Sequence, residues 1–116
     1  NMLVRQKRYR EVVNVCDTIQ KLNADAASLE RKGWALFRLG DYEGSTQAYL
    51  ESIGIDDTLW RAYNGLGVNA LNRWLLSKEV DTEARVQALD AFRASLQINA
   101  DQQKVIGLML KYNLQR

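Results

Sequence analysis

The side chains most often recruited for catalysis are scarce in this chain. It has no histidine, which removes the commonest general acid-base group and the commonest metal ligand. Cys16 is the only cysteine, so neither an internal disulfide nor a cysteine-based metal site can be built, and a small buried apolar role is expected for it. Asp56-Asp57 brings two carboxylates together, but no further acids gather round them in sequence. Adjacent acids at a helix start are more simply caps that favour the positive end of the helix dipole, and Asp57 is the expected cap. Gly65-Leu66-Gly67 has some of the glycines of a phosphate-cradling loop. No strand precedes it, no third glycine is correctly placed, and it lies inside a helical apolar stripe, so close helix packing is the expected role. Asn64-Gly65 likewise lacks the alternating strands that would flank a hairpin turn. With no nucleophile-base pair, metal cluster or cofactor loop, the chain is expected to be neither an enzyme nor the holder of a cofactor.

The chemistry that remains is recognition. Trp34 lies on the side of its helical pattern away from Leu29, Gly33 and Leu36, with Arg31 and Arg38 three and four residues away and Phe37 nearby. Two readings stay open for it: an aromatic anchor for a ligand, or packing against a preceding helical unit.

These residues must be positioned by helices. The chain has 116 residues, 47% of them hydrophobic and 26% charged, with no proline to interrupt a helix. That length suits one small domain or a short piece of a longer array rather than two domains. With 16 basic and 14 acidic residues, net charge is +2, too balanced to argue for nucleic acid or an anionic membrane surface. No apolar run approaches the roughly 20 residues of a membrane span, so no direct membrane insertion is expected. Nothing at the amino end reads as a signal peptide, which slightly favours the cytoplasm, although any targeting segment could lie outside a trimmed piece that enters a helical pattern at once.

The organising stretch runs from Gly33 to Asp57. Two amphipathic helical patterns are joined by Leu39-Gly40-Asp41-Tyr42, where Gly40 supplies a left-handed helix end and Asp41 caps the next helix. The spacing of unlike positions recurs on both sides. Tyr9, Cys16 and Leu22-Asn23 precede Tyr42, Tyr49 and Ile55-Asp56 by 33 residues, while Leu29, Gly33 and Leu36 precede Tyr63, Gly67 and Ala70 by 34. Tyr49, Ser52 and Ile55-Asp56 precede Phe92, Ser95 and Ile98-Asn99 by 43, which leaves about nine extra residues between Ala70 and Ala88. The unbroken apolar pattern through Trp74 and Leu75 predicts that both helices are lengthened, with a turn near Ser77 to Asp81 and a cap at Asp81 or Thr82. Trp60, Tyr63, Trp74, Tyr49 and Phe92 are expected in the core. At the amino end Lys7-Arg8 stand where Gly40-Asp41 stand later, and the first helix of that unit is absent or only hinted at by Met2 to Arg5.

With Leu29 and Gly33 in the first helix, Gly40-Asp41-Tyr42 at the turn and Tyr49 in the second, the unit resembles the tetratricopeptide repeat (TPR) family. The resemblance implies an all-α fold, a right-handed superhelix of stacked antiparallel helical hairpins. It divides the single domain into a partial repeat over 1–25, a repeat over 26–59, a repeat with the insertion over 60–102 and a closing helix over 103–116, the last being alternatively the first half of a cut repeat. It also implies a non-catalytic scaffold whose first helices line a concave groove for a peptide or protein segment. Matched by position, that groove holds Ala27, Glu30, Trp34, Phe37 and Arg38, then Arg61, Asn64, Val68, Leu71 and Asn72, then Lys104 and Lys111. Asn64 and Asn72 would hold a peptide backbone, Trp34 or Phe37 would seat an apolar side chain, and Arg38 and Arg61 would attract carboxylates. Members that clamp the acidic tails of heat-shock chaperones carry a lysine and asparagines at set groove positions. Here the first two of those positions hold Glu30 and Trp34, and a glutamate repels a carboxylate, so no such clamp is expected. The alternative is a structural segment of a longer solenoid or a subunit that self-associates through its open ends.

Overall fold

The computed structural model describes residues 2–114. They form six helices and, among the described residues, no strand: α1 (Met2–Leu22), α2 (Ala26–Arg38), α3 (Tyr42–Ile55), α4 (Trp60–Leu76), α5 (Thr82–Ile98) and α6 (Gln103–Lys111). Asn1 and the Gln115-Arg116 end of the expected closing segment lie outside the described residues. Among the described residues no helix is long and apolar enough to cross a membrane.

α1 corrects the expectation for the amino end. It is one continuous helix, so Met2 to Arg5 are not a separate element and Lys7-Arg8 form no turn. The physical reason is local: Arg, Lys, Gln and Glu all propagate helix well, and no glycine or proline interrupts them.

The remaining helices are set by their caps. Asp25 accepts from Ala27 N at 3.0 Å, Asp41 from Gly44 N at 3.0 Å and Asp81 from Ala84 N at 3.0 Å, which starts α2, α3 and α5. α2 ends on Gly40 at φ +84°, with Asp41 N donating to Leu36 O and Gly40 N to Phe37 O. Lys78 at φ 58° repeats that reversed pair of bonds after α4, through Glu79 N to Trp74 O and Lys78 N to Leu75 O. The expected cap at Asp57 is absent. Leu59 stands at the N-cap position of α4 and supplies no side-chain cap, and Asp56 instead accepts from Thr58 N and Thr58 Oγ1, closing a short turn that leaves no carboxylate over the first turn of α4.

α2 pairs with α3 and α4 with α5, α1 lies on α2, and α3 leads into α4. The first pair is antiparallel: Ser45 Oγ donates to Gly33 O at 2.6 Å and Ser52 Oγ to Ala26 O at 2.7 Å, so one helix climbs as the other descends. The second pair repeats the arrangement. Ser95 Oγ donates to Trp60 O at 3.2 Å, and the backbone N–H groups of Asp56 and Asn99 return to Ser52 O and Ser95 O at matching helix ends. Tyr49 packs on Gly33 as Phe92 packs on Gly67. The extra residues lengthen α4 and α5 to 17 each, against 13 and 14 in α2 and α3.

The main core lies where α4, α5 and α6 meet, around Leu71, Trp74, Leu89, Phe92, Val105 and Leu114. Trp60 and Tyr63, expected in the core, are only half-buried. Trp60 begins its helix at the surface, where the Arg61 guanidinium covers its ring at 4.4 Å.

Candidate functional site

Glu30, Trp34, Phe37 and Arg38 recur along α2 at steps of four, three and one, and Arg61, Asn64, Gly65 and Val68 along α4 at three, one and three. Each set occupies one helix face, and the two faces confront each other. All eight line one cleft of about 350 Å³, together with Tyr49 from α3 beneath. A neighbouring cleft of about 470 Å³ shares Glu30, Trp34 and Arg61 and adds Ala27, Arg31 and Leu59.

The backbone of both helices permits this depth. Tyr49 lies against Gly33 and Gly65, and a β-carbon on either glycine would overlap its ring, so the ring fills the gap between α2 and α4 as a floor. Above it the walls mix charge with aromatic surface. Trp34 meets Tyr9 of α1 edge to face, with ring centroids 5.4 Å apart, yet stays 42% exposed. It therefore packs against the preceding helix and also presents surface to the cleft. Arg38 Nε donates to Tyr9 Oη at 3.1 Å, and its guanidinium lies 5.5 Å from that ring centroid. The two arginines expected to attract carboxylates are thus braced by aromatic rings, Arg38 on Tyr9 and Arg61 on Trp60.

Glu30 is the one carboxylate among these lining residues. Burial holds its carboxyl above the ordinary range, although Arg31 and Arg61 pull it down. Burial likewise pushes the Tyr49 phenol up, and Glu30 adds to that rise against a hydrogen bond with Ser45. Asn64 is already engaged. Its Nδ2 donates to Gln102 Oε1 at 2.7 Å, and its Oδ1 is buried with no partner among the described residues.

Four positions assigned to the groove by the resemblance stand apart. Leu71 is buried in the core, where the following turn of α4 faces α5. Asn72 lines a different cleft, between α3 and α4, with Tyr42 and Gln47. Lys104 is exposed on α6 and lines neither groove cleft, and Lys111 lies over the Tyr112 ring at 5.3 Å. Sequence reasoning missed the contributions of Tyr9 and Gln102. Tyr9 sits in the apolar stripe of α1, and the 33-residue match to Tyr42 marks it as part of a unit without showing that it braces Arg38. Gln102 carries no local signal, since its partners Asn64 and Ser95 are remote in sequence.

Among the described residues no group of three or more His, Cys, Asp or Glu is arranged to hold a metal ion. Cys16 is buried and its thiol is raised by that burial. No protein-family model matches the chain, and no curated protein matches it.

Proposed function

We propose that this chain is a non-catalytic binding module of tetratricopeptide type, a right-handed superhelix of helical hairpins that holds a peptide or protein segment in the cleft between α2 and α4. The observation that carries the reading is convergence. Glu30, Trp34, Phe37, Arg38, Arg61, Asn64 and Val68, chosen by position in a repeat, line a single cleft. Large aromatic surface next to fixed guanidinium groups suits a segment that offers an apolar side chain flanked by a carboxylate. Glu30 limits that preference, because a dense acidic run would meet a carboxylate already poorly solvated.

The test is a peptide array probed with the wild type and with Trp34→Ala and Arg61→Glu, each checked for an unchanged helical circular dichroism spectrum. Loss of the same spots in both variants supports the reading. Wild-type binding retained by both moves recognition to another surface.

A second reading, that the chain is a structural segment of a longer solenoid or a self-associating subunit, draws on α1. Val15 and Leu22 are exposed on a helix that packs mainly on α2. Sedimentation across a range of concentrations separates the two readings, since a strictly monomeric chain counts against self-association.

A further inference from the structure

A second surface lies on the other side of α4, independent of the groove. Tyr63, Leu66 and Ala70 are about half a helical turn away from Arg61, Asn64 and Val68. They form the floor of a cleft of about 520 Å³ whose walls are α3 and α5. α3 and α5 do not pack extensively on each other, and Ala91 and Ala94 are too small to close the gap, so Leu50 is left 51% exposed at its edge.

This cleft continues towards the start of α3 into a polar end of about 320 Å³, with which it shares Thr46 and Arg73. Asn69 lines that end and is only 7% exposed. Its orientation is fixed by a relay: Ser45 Oγ donates its proton to Gly33 O, so it must accept from Asn69 Nδ2, at 3.0 Å. The amide oxygen is left with no partner among the described residues, a buried acceptor that calls for a donor.

Charge selects the kind of donor. Between Gly40 and Leu59 the chain carries five carboxylates, Asp41, Glu43, Glu51, Asp56 and Asp57, and no lysine or arginine. Glu43 lines the polar end. Among the described residues Arg73 is the one cation lining the cleft, and it is held by Asp81 at 3.4 Å and by Gln87. We infer that the α3–α4–α5 cleft docks a basic amphipathic helix of a partner protein, its apolar ridge against Leu50 and Tyr63 and a lysine or arginine directed to Glu43 and Asn69.

The test is a nuclear magnetic resonance titration of the chain with a synthetic amphipathic helix of about 15 residues, long enough to be helical, bearing a leucine ridge flanked by lysines. A peptide of the same composition with the ridge scrambled, and one with glutamates for lysines, are the controls. Saturable shifts are expected at Leu50, Tyr63 and the Asn69 side-chain amide with the basic helix alone. Leu50→Arg and Glu43→Lys, both at exposed positions, should each weaken binding about tenfold while the helical circular dichroism spectrum is unchanged. Equal binding of the three peptides, shifts confined to the Trp34 side, or indifference to Leu50→Arg would overturn the proposal. So would self-association of the chain abolished by Leu50→Arg, which would make a second copy the occupant.

Discussion

Gly33 and Tyr49 are in such close contact that a β-carbon on the glycine would stand 2.7 Å from Tyr49 Cε1. The ring cannot retreat, because Gly65 bounds it on its other side. Two effects of Gly33→Ala therefore oppose each other. Alanine gains about 1 kcal/mol of helix propensity over glycine, whereas overpacking a filled site costs about 1–3 kcal/mol. With backbone on both sides of the ring the steric cost should win. Chemical denaturation is expected to show a net loss of up to about 2 kcal/mol after the propensity gain is set against it, and less in a Tyr49→Leu background. A stabilised Gly33→Ala would show that the ring has room to move.

How much of this could be read beforehand varied with the range of the interaction. The helical class, the turn at Gly40, the cap at Asp41 and the late turn at Ser77 to Asp81 were legible because each depends on residues a few positions apart. The cap at Asp57 failed because α4 begins later, with Leu59 at its N-cap position, and Thr58 turns back on Asp56 through its hydroxyl and N–H. Within the site, the α2 and α4 faces were assigned by matching positions to the resembled repeat, and the residues so matched on each helix share a face. Asn72 was misplaced because spacing gives an angle on α4 but not where α3 crosses it. The Asn64–Gln102 bond spans 38 residues and had no sequence signature at all.

Lys78 occupies a left-handed position, φ 58°, that glycine adopts without strain. The turn keeps it there through Ser77 Oγ, which donates to Trp74 O and accepts from Asp81 N, and through the Arg73–Asp81 ion pair. Lys78→Gly relieves the strain of a side chain in that region, about 1 kcal/mol, and is expected to raise the melting temperature by a few degrees. The flexibility it adds to the unfolded chain offsets part of that gain. An unchanged or lower melting temperature would mean that the tip already accommodates lysine without cost.

Glu30 and Asp56 make opposite contributions to acid stability, in separate pH windows. Burial raises the Glu30 carboxyl above its ordinary value of 4.5, so the folded chain holds that proton more tightly than the unfolded chain does. Its contribution is fully present below pH 4.5 and is lost as pH rises through the folded value. The Thr58 hydroxyl and N–H lower the Asp56 carboxyl below 3.8, so its contribution is present above that value and is lost as pH falls through the folded one. Denaturation midpoints of wild type and Glu30→Gln, followed from pH 4 to neutrality, should diverge in favour of the variant as pH rises. A constant difference across that range would remove the desolvated carboxylate from the account of the cleft.

Gln102 ties the cleft to the last helix. Its Nε2 donates to Ser95 Oγ at 2.9 Å and Asn99 O at 2.7 Å, while its Oε1 accepts from Asn64 Nδ2. Gln102→Ala would leave the Asn64 amide with neither end bonded inside the fold and deprive the start of α6 of its anchor. Each buried polar group left without a partner costs about 1–3 kcal/mol, so a loss of about 2–4 kcal/mol is expected on denaturation. The loss should be uneven. α6 contacts α5 sparingly and depends on Val105 and Leu114 for burial, so its amides should exchange with solvent faster than those of α2 and α3. Because Asn64 also lines the cleft, its side-chain resonances should broaden at the same time. Uniform loss of protection along the chain, with Asn64 unchanged, would show that Gln102 acts on global stability and does not connect α6 to the site.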